Sequence, residues 1–460
     1  MPGRFNSKST TNTEILQRFS IAIYLLPRQH GGPLAIRPVR DCKKSKKIGA
    51  CSRKINMKTQ KKVPQALAVV SIVLLWGMLG CGGGSTVTPA ATPTPTASPT
   101  PTPAPTPTVE SWKQLRTNVP PAARDSPSGI FDAANNRLTV FGGRNASDTA
   151  NLNDAWVLAN ANGNTGTGVW TLLTAGGAAG SPPVRWGAAS AYDSANNRLM
   201  IFGGCAAGCL PALNDVWVLT NANGLGGVPA WVQLAPTGTP PTARTKSTSV
   251  YDAASNRLIV FAGQDGSGNG CSTFSDTWVL SNANGLGGTP AWTQLSPTGG
   301  PPLGQYGAAA VYDSANNRMV ISGGSATVGG VCSFSTATWV LTNANGLGGT
   351  PAWTNTVSEG TANAPPPRTF FSAVYDSAVN QMIIFGGNNG QRVTFGDSWA
   401  LSNANGVGGV STWTQLTTSG GPPTRTGHVA GFDPVAHVMM VFGGDEGTVL
   451  SDTWVLTNVK

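Results

Sequence analysis

One arginine recurs about every 60 residues from position 124 onward, and its guanidinium could do anion chemistry. A ring of such groups around an opening could bind a carboxylate-bearing glycan or an acidic peptide end through bidentate hydrogen bonds. Alternatively, each arginine binds backbone or an acid within its own repeat and serves the scaffold. The set comprises Arg124, Arg185, Arg244, Arg368 and Arg425, with Gln305 at the fourth place.

Four of the seven cysteines fall in loops of the repeated region. Cys205 and Cys209 share one loop, whereas Cys271 and Cys332 occupy equivalent places in neighbouring repeats. An exported protein meets an oxidising compartment, so we predict the disulfides Cys205–Cys209 and Cys271–Cys332. A four-thiolate zinc site across these loops and free, packed thiols are the alternatives.

Other reactive residues are sparse. Beyond position 80 the chain has two histidines, His428 and His437, and three glutamates, Glu110, Glu359 and Glu446. This excludes a histidine-rich metal site. We find no carboxylate pair with acid–base spacing, no nucleophile elbow, no phosphate loop and no zinc motif. The sequence therefore predicts no catalytic residue, no cofactor and no metal site.

These residues lie in a unit that is repeated six times. In the third copy, β-branched and aromatic runs at 247–251, 258–261, 276–280 and 291–295 are separated by Gly, Asn and Asp turns. None is long enough, or suitably periodic, to be a helix. Four antiparallel strands repeated radially predict an all-β fold, a six-bladed β-propeller. The glycine pairs that end the second strands close at Gly143, Gly204, Gly263, Gly324, Gly387 and Gly444.

Tryptophans recur on the third and fourth strands of the unit. Such large flat side chains suit packing between neighbouring sheets, and their regular recurrence favours this over the stacking of sugars. The third-strand set is Trp156, Trp217, Trp278, Trp339, Trp399 and Trp454, and the fourth-strand set includes Trp170, Trp231, Trp292, Trp353 and Trp413.

The glycine pair after a hydrophobic strand, followed by a tryptophan on each of the last two strands, resembles the kelch family. The resemblance extends over residues 111–460 and implies a six-bladed kelch-type propeller. Two positions depart from the pattern. Ala262 replaces the first glycine of blade 3, and Ala337 stands in blade 4 where the other copies have aspartate. We expect both changes to be tolerated.

The ends of the repeated region indicate how the ring closes. The chain ends after a third strand, at residues 452–456, and the repeats begin with an unpaired fourth strand at residues 111–115. We therefore predict that the N-terminal strand completes the last blade, which pairs two otherwise exposed edges.

The N-terminal segments predict export and lipidation. A basic stretch and a short apolar run at residues 57–80 end in Gly80-Cys81, as in a bacterial lipoprotein signal peptide, with Cys81 the lipidated residue. An ordinary signal peptide is the alternative. Residues 81–110 predict a Gly/Thr/Pro-rich tether. Residues 1–56 are interpreted as a basic extension, either an over-extended gene start or a disordered segment.

Charge argues against a nucleic-acid partner. The net charge of +10 comes from the first 80 residues, whereas Cys81 to Lys460 carry 15 Lys/Arg and 18 Asp/Glu, a net charge of −3. We expect a monomeric protein or carbohydrate-binding module, held at the bacterial cell envelope by its lipid, on the outer membrane or cell surface. A carbohydrate-active enzyme resembling a sugar mutarotase and a purely structural envelope role are the alternatives.

Overall fold

The propeller region folds into β-sheets. The computed structural model describes residues 110–145, 151–206, 212–267, 272–300, 302–328, 331–390 and 393–459. These residues form strands, turns and loops, with no helix among them. They build six four-stranded antiparallel sheets and one small three-stranded sheet. The all-β prediction with four antiparallel strands per unit is confirmed.

Each four-stranded sheet is one blade, and its strands follow one another in the chain except at the ring closure and in blade 4. Blade 1 comprises β2 Ser128–Asp132, β3 Arg137–Arg144, β4 Asn151–Ala159 and β5 Val169–Thr174. Blade 2 comprises β6 Ala189–Asp193, β7 Arg198–Cys205, β8 Ala212–Thr220 and β9 Ala230–Leu234. Blade 3 comprises β10 Thr248–Asp252, β11 Arg257–Phe261, β12 Thr277–Ser281 and β13 Ala291–Leu295.

The remaining blades follow the same plan. Blade 4 comprises β15 Ala309–Asp313, β16 Arg318–Ser322, β19 Thr338–Thr342 and β20 Ala352–Val357. Its additional small sheet comprises β14 Gln305–Tyr306, β17 Ser325–Val328 and β18 Val331–Phe334. Blade 5 comprises β21 Ser372–Asp376, β22 Gln381–Phe385, β23 Ser398–Ser402 and β24 Thr412–Gln415. Blade 6 comprises β25 Val429–Asp433, β26 Val438–Phe442, β27 Thr453–Thr457 and β1 Ser111–Gln114.

The ring closes as predicted. Strand β1 pairs antiparallel with β27, with Trp112 opposite Leu456. Six backbone hydrogen bonds of 2.7–3.0 Å also link the loops that enter the first strands into a closed circle. The backbone N–H of each member donates to the carbonyl of the preceding member, and the N–H of the first donates to the carbonyl of the last. The members are Ser126, Gly187, Lys246, Gly307, Phe370 and Gly427. Each blade therefore contacts two neighbours around one axis.

The hydrophobic core lies between the blades. Six clusters of buried side chains each draw on two adjacent blades. Trp170 of blade 1 is 3% exposed, and its ring centroid lies 4.7 Å from that of Phe442 in blade 6. Trp292 stacks in the same way on Phe202 of the preceding blade, at 5.1 Å. These tryptophans are core residues, as the regular recurrence indicated.

The glycine pairs are required where neighbouring blades approach. Gly142 has a φ of +63°, and a Cβ there would lie 2.6 Å from the backbone oxygen of Arg185 in the next blade. In blade 3 the equivalent Ala262 adopts a φ of 58°. That left-handed conformation costs an alanine more than a glycine, but the backbone path of the blade is kept.

Candidate functional site

The five recurring arginines are buried and paired within their own blades, which agrees with the scaffold role and contradicts the anion-binding collar. Their guanidinium groups form bidentate ion pairs with an aspartate of the same blade. Their side chains are 0–2% exposed, so an external ligand cannot reach the guanidinium groups. The pairs are Arg124–Asp154, Arg185–Asp215, Arg244–Asp276, Arg368–Asp397 and Arg425–Asp452.

Blade 2 shows the hydrogen bonds that such a pair makes. Arg185 donates from Nη1 and Nη2 to the Asp215 carboxylate at 2.6 and 2.8 Å. It also donates from Nη1 to the Gly203 carbonyl at 2.9 Å and from Nε to the Pro183 carbonyl at 3.2 Å. The Trp217 indole N–H donates to the same carboxylate at 2.7 Å. Strand ends and the glycine turn are thereby joined by one buried network.

The network controls the ionisation of its aspartates. Burial raises the pKa of Asp215, but the hydrogen bond and charge of Arg185, with the indole of Trp217, outweigh it and leave the pKa below its ordinary value of 3.8. The aspartates of the other four pairs shift in the same direction for the same reasons. These carboxylates are therefore ionised in the folded protein at neutral pH.

A lysine, rather than a ring of arginines, lies at the channel mouth. The Lys246 ammonium lies 5.0, 5.1 and 4.9 Å from the ring centroids of Trp186, Tyr306 and Phe370. Burial and, to a smaller extent, the charge of Arg144 lower its pKa to about 8, against the opposing charge of Asp125. The cavity at this mouth is small, at about 150 Å³. The side chain narrows the opening.

Blade 4 departs from the pattern at both partners of the ion pair. Gln305 replaces the arginine and Ala337 replaces the aspartate. The place of the pair is taken by a cavity of about 650 Å³, which we call the blade 4 cavity. Its mostly apolar wall includes Leu303, Phe334 and Trp339. The small sheet supplies part of this wall.

The blade 4 cavity contains an unsatisfied polar atom and an acid. Gln305 is 4% exposed, lines the cavity, and its Oε1 has no hydrogen-bond partner among the described residues. Glu359 lies at the exposed rim and accepts hydrogen bonds from the Thr336 N–H at 2.9 Å, the Thr336 hydroxyl at 2.8 Å, the Ala337 N–H at 3.3 Å and the Ser335 hydroxyl. Burial raises the pKa of Glu359, but these hydrogen bonds lower it below its ordinary value.

The two ends of the propeller differ in what their loops do. We call the end with the second-to-third and fourth-to-first-strand loops the loop face, and the opposite end the turn face. On the turn face, an asparagine of each of five third-to-fourth loops donates to the aspartate that ends the first strand of the preceding blade, at 2.5–2.7 Å. Asn223 to Asp132 is one such bond. The loops of the turn face therefore hold neighbouring blades together.

The remaining predicted site residues lie partly outside the described residues. Cys81, Cys209 and Cys271 fall there. Cys205 is fully buried, and neither Cys205 nor Cys332 is a free thiol. The two specific bridges stay predictions. Within the described ranges, no cluster of three or more His, Cys, Asp or Glu could hold a metal ion. In the same ranges, no helix has the length and apolarity needed to cross a membrane.

The comparison with known proteins settles the family. The KLHDC2/KLHL20/DRC7 Kelch-repeats domain family matches residues 106–284 and 286–460. The chain belongs to the kelch-repeat family. Two curated relatives of this kelch-repeat protein come from Oryza sativa subsp. japonica. Adagio-like protein 3 is 27% identical over 332 residues, which is 71% of this chain and 47% of the relative. A second adagio-like protein is 27% identical over 339 residues, with the same two coverages.

A solved structure has a similar fold. The structure titled "Structure of YjhT" aligns with a TM-score of 0.50 at 16% sequence identity, and the alignment covers 73% of this chain and 95% of that one. At this identity the likeness concerns the fold alone. The chain spans about half the length of the curated relatives it matches.

Trp339 and Glu359 were not singled out as site residues from the sequence. One signal could have pointed to them. The arginine and the aspartate are lost together, at Gln305 and Ala337, in the same repeat. Because both residues are replaced in the same repeat, they are expected to be partners in the other repeats. The space that they occupy there is then open in blade 4.

Proposed function

We propose that this kelch-repeat protein is a binding module that takes a protein or glycan partner on its loop face, at the blade 4 cavity. The observation that carries the proposal is the replacement, in one blade only, of a buried ion pair by an open cavity of about 650 Å³. A cavity of this size, mostly apolar with a few polar groups, is typical of ligand sites.

The use of the other surfaces supports this choice of face. The turn-face loops are near copies of one another, and their asparagines are buried and hydrogen-bonded to the neighbouring blade. The channel mouth on the loop face is narrowed by Lys246 and its aromatic neighbours. The loops around blade 4 differ from their counterparts in length and content, as binding loops on a rigid scaffold do.

We further propose that the module is exported and anchored in the bacterial cell envelope through a lipid on Cys81. The support is the basic and apolar sequence at residues 57–80, followed by the Thr/Pro-rich tether. A proline-rich tether is extended, at about 3 Å per residue, and would hold the loop face away from the membrane.

A ligand array tests the binding proposal. The full chain and the variant Gln305→Arg/Ala337→Asp, which restores the residues of the other five blades, are applied to the same peptide and glycan array. We expect ligands that the wild type retains and the variant loses.

The matched control is Leu225→Glu, an exposed position on the turn face, which should leave the retained ligands unchanged. Two outcomes would overturn the proposal. One is that the wild type retains no ligand on the array. The other is that Leu225→Glu abolishes ligand binding whereas Gln305→Arg/Ala337→Asp, the cavity-filling variant, preserves it.

A further inference from the structure

In five blades of this protein, the guanidinium of the blade's own arginine occupies the place where blade 4 has its cavity. In each, the arginine Nη1 donates to the carbonyl of the residue eighteen positions later and Nε to the carbonyl two positions earlier. In blade 4 the equivalent carbonyls belong to Gly323 and Leu303. Gln305 is too short and lacks the charge to replace the missing group.

The anion of the pair is retained in blade 4 even though the aspartate is not. In the other five blades the aspartate carboxylate also accepts a hydrogen bond from its own backbone N–H. The equivalent N–H, that of Ala337, donates to Glu359 Oε1 at 3.3 Å. The carboxylate of Glu359 therefore stands close to the place of the missing aspartate, although it comes from another loop.

The charge of Glu359 has no counterion among the described residues. Its four hydrogen bonds come from neutral hydroxyl and amide groups. The described ion pairs all involve other acids. With the unpartnered Oε1 of Gln305, the cavity offers acceptors and a negative charge. A ligand that fits it must carry hydrogen-bond donors and a positive charge.

We propose that the blade 4 cavity binds a guanidinium group, presented by an arginine side chain of a protein partner. The planar guanidinium has five N–H donors and matches a carboxylate in bidentate geometry. In blades 3 and 5 the guanidinium carbon also lies 4.2 Å from a phenylalanine ring centroid. Phe334 and Trp339 line the cavity, so aromatic rings are present here as well, and the apolar wall accommodates the methylene stem.

The indole of Trp339 favours an arginine within a peptide over a small free guanidine. In the other blades the third-strand indole N–H donates to the aspartate two residues before it, at 2.6–2.7 Å. Blade 4 has Ala337 at that place, so this aspartate is absent. The indole N–H is therefore a donor for an acceptor on the ligand, which a peptide carbonyl supplies.

Calorimetric titration of the full chain tests the proposal, which rests on the proposed function. The probes are N-acetyl-arginine-N-methylamide, its citrulline analogue and propylguanidine. The citrulline analogue has the same shape without the charge, and propylguanidine has the single guanidinium charge without the peptide carbonyl. We expect the arginine probe to bind, and the citrulline analogue to bind at least about tenfold more weakly, because charged hydrogen bonds are lost. The affinity for propylguanidine should lie between the affinities for these two probes.

Variants assign the binding to the cavity. Glu359→Gln should weaken the arginine probe at least about tenfold, and Gln305→Arg/Ala337→Asp should abolish its binding while the protein stays folded. Glu446→Gln, which removes the same charge from another exposed loop, should change nothing. Equal affinity for the arginine and citrulline probes, unchanged affinity in Glu359→Gln, or no binding at millimolar probe would refute the guanidinium site. Propylguanidine binding as tightly as the arginine probe would refute the peptide source.

The outcome also separates the two proposals. If the arginine probe fails but the array yields a ligand that the cavity-filling variant loses, the loop-face function stands and the guanidinium class is wrong. If neither experiment yields a ligand, both proposals fail.

Discussion

Removing the aspartate of one buried ion pair should lower the free energy of unfolding far more than removing the aspartate of an exposed pair. The substitution Asp215→Ala removes the carboxylate and with it two hydrogen bonds from Arg185, at 2.6 and 2.8 Å, and one from Trp217, at 2.7 Å. Arg185 stays 0% exposed and without its counterion. Breaking a buried pair in this way costs about 3–5 kcal/mol. Because the Asp215 side chain is 19% exposed and water can partly replace it, we expect about 3 kcal/mol.

A double-mutant cycle in urea or guanidinium chloride measures this cost. Arg185→Gln/Asp215→Ala reproduces the residues of blade 4 and removes the uncompensated charge. The double variant should therefore lose less stability than the sum of the two single variants, with a coupling of about 1–3 kcal/mol. A cost below about 1 kcal/mol for Asp215→Ala, as for a surface pair, or strictly additive variants would refute the buried network.

Three further outcomes are expected. The five paired aspartates have folded pKa values below 3.8, so their stabilisation is complete above that pH and is lost as pH falls through the folded values. The denaturation midpoint should thus fall steeply only below about pH 4, and less steeply in Asp215→Asn, whereas a uniform decline from neutral pH would contradict this. Peptide mapping without reduction should recover Cys205–Cys209 and Cys271–Cys332, and full alkylation of the native, unreduced protein would exclude both bridges. The mature protein should begin at an acylated Cys81 and partition into detergent, and an intact mass that includes earlier residues would exclude that processing.

The repeat predicted most of the fold because its strand pattern is local. The third copy was expected at 247–251, 258–261, 276–280 and 291–295, and its four strands lie within one residue of these bounds. Ring closure could also be predicted from the sequence. The repeats begin with a fourth strand that has no blade, and the last blade lacks its fourth strand, so pairing the two satisfies both exposed edges.

The site was harder to predict because its contacts join residues far apart in the chain. Arg124 binds Asp154, which lies thirty positions further along the chain, and only the folded blade shows that the two side chains are paired. Sequence left the collar and the scaffold roles open. Glu359 replaces an aspartate in space from a different loop, so no alignment of the repeats places it beside Ala337.

We propose that blade 4 is a binding site because it lacks the ion pair of the other five blades. The decisive experiment is a crystal structure of the full chain with a ligand that it retains. We predict ligand density in the blade 4 cavity, between Gln305, Trp339 and Glu359, with the ligand's cation against the Glu359 carboxylate. Density on the turn face or in the channel, with the blade 4 cavity empty, would show that blade 4 is not the binding site.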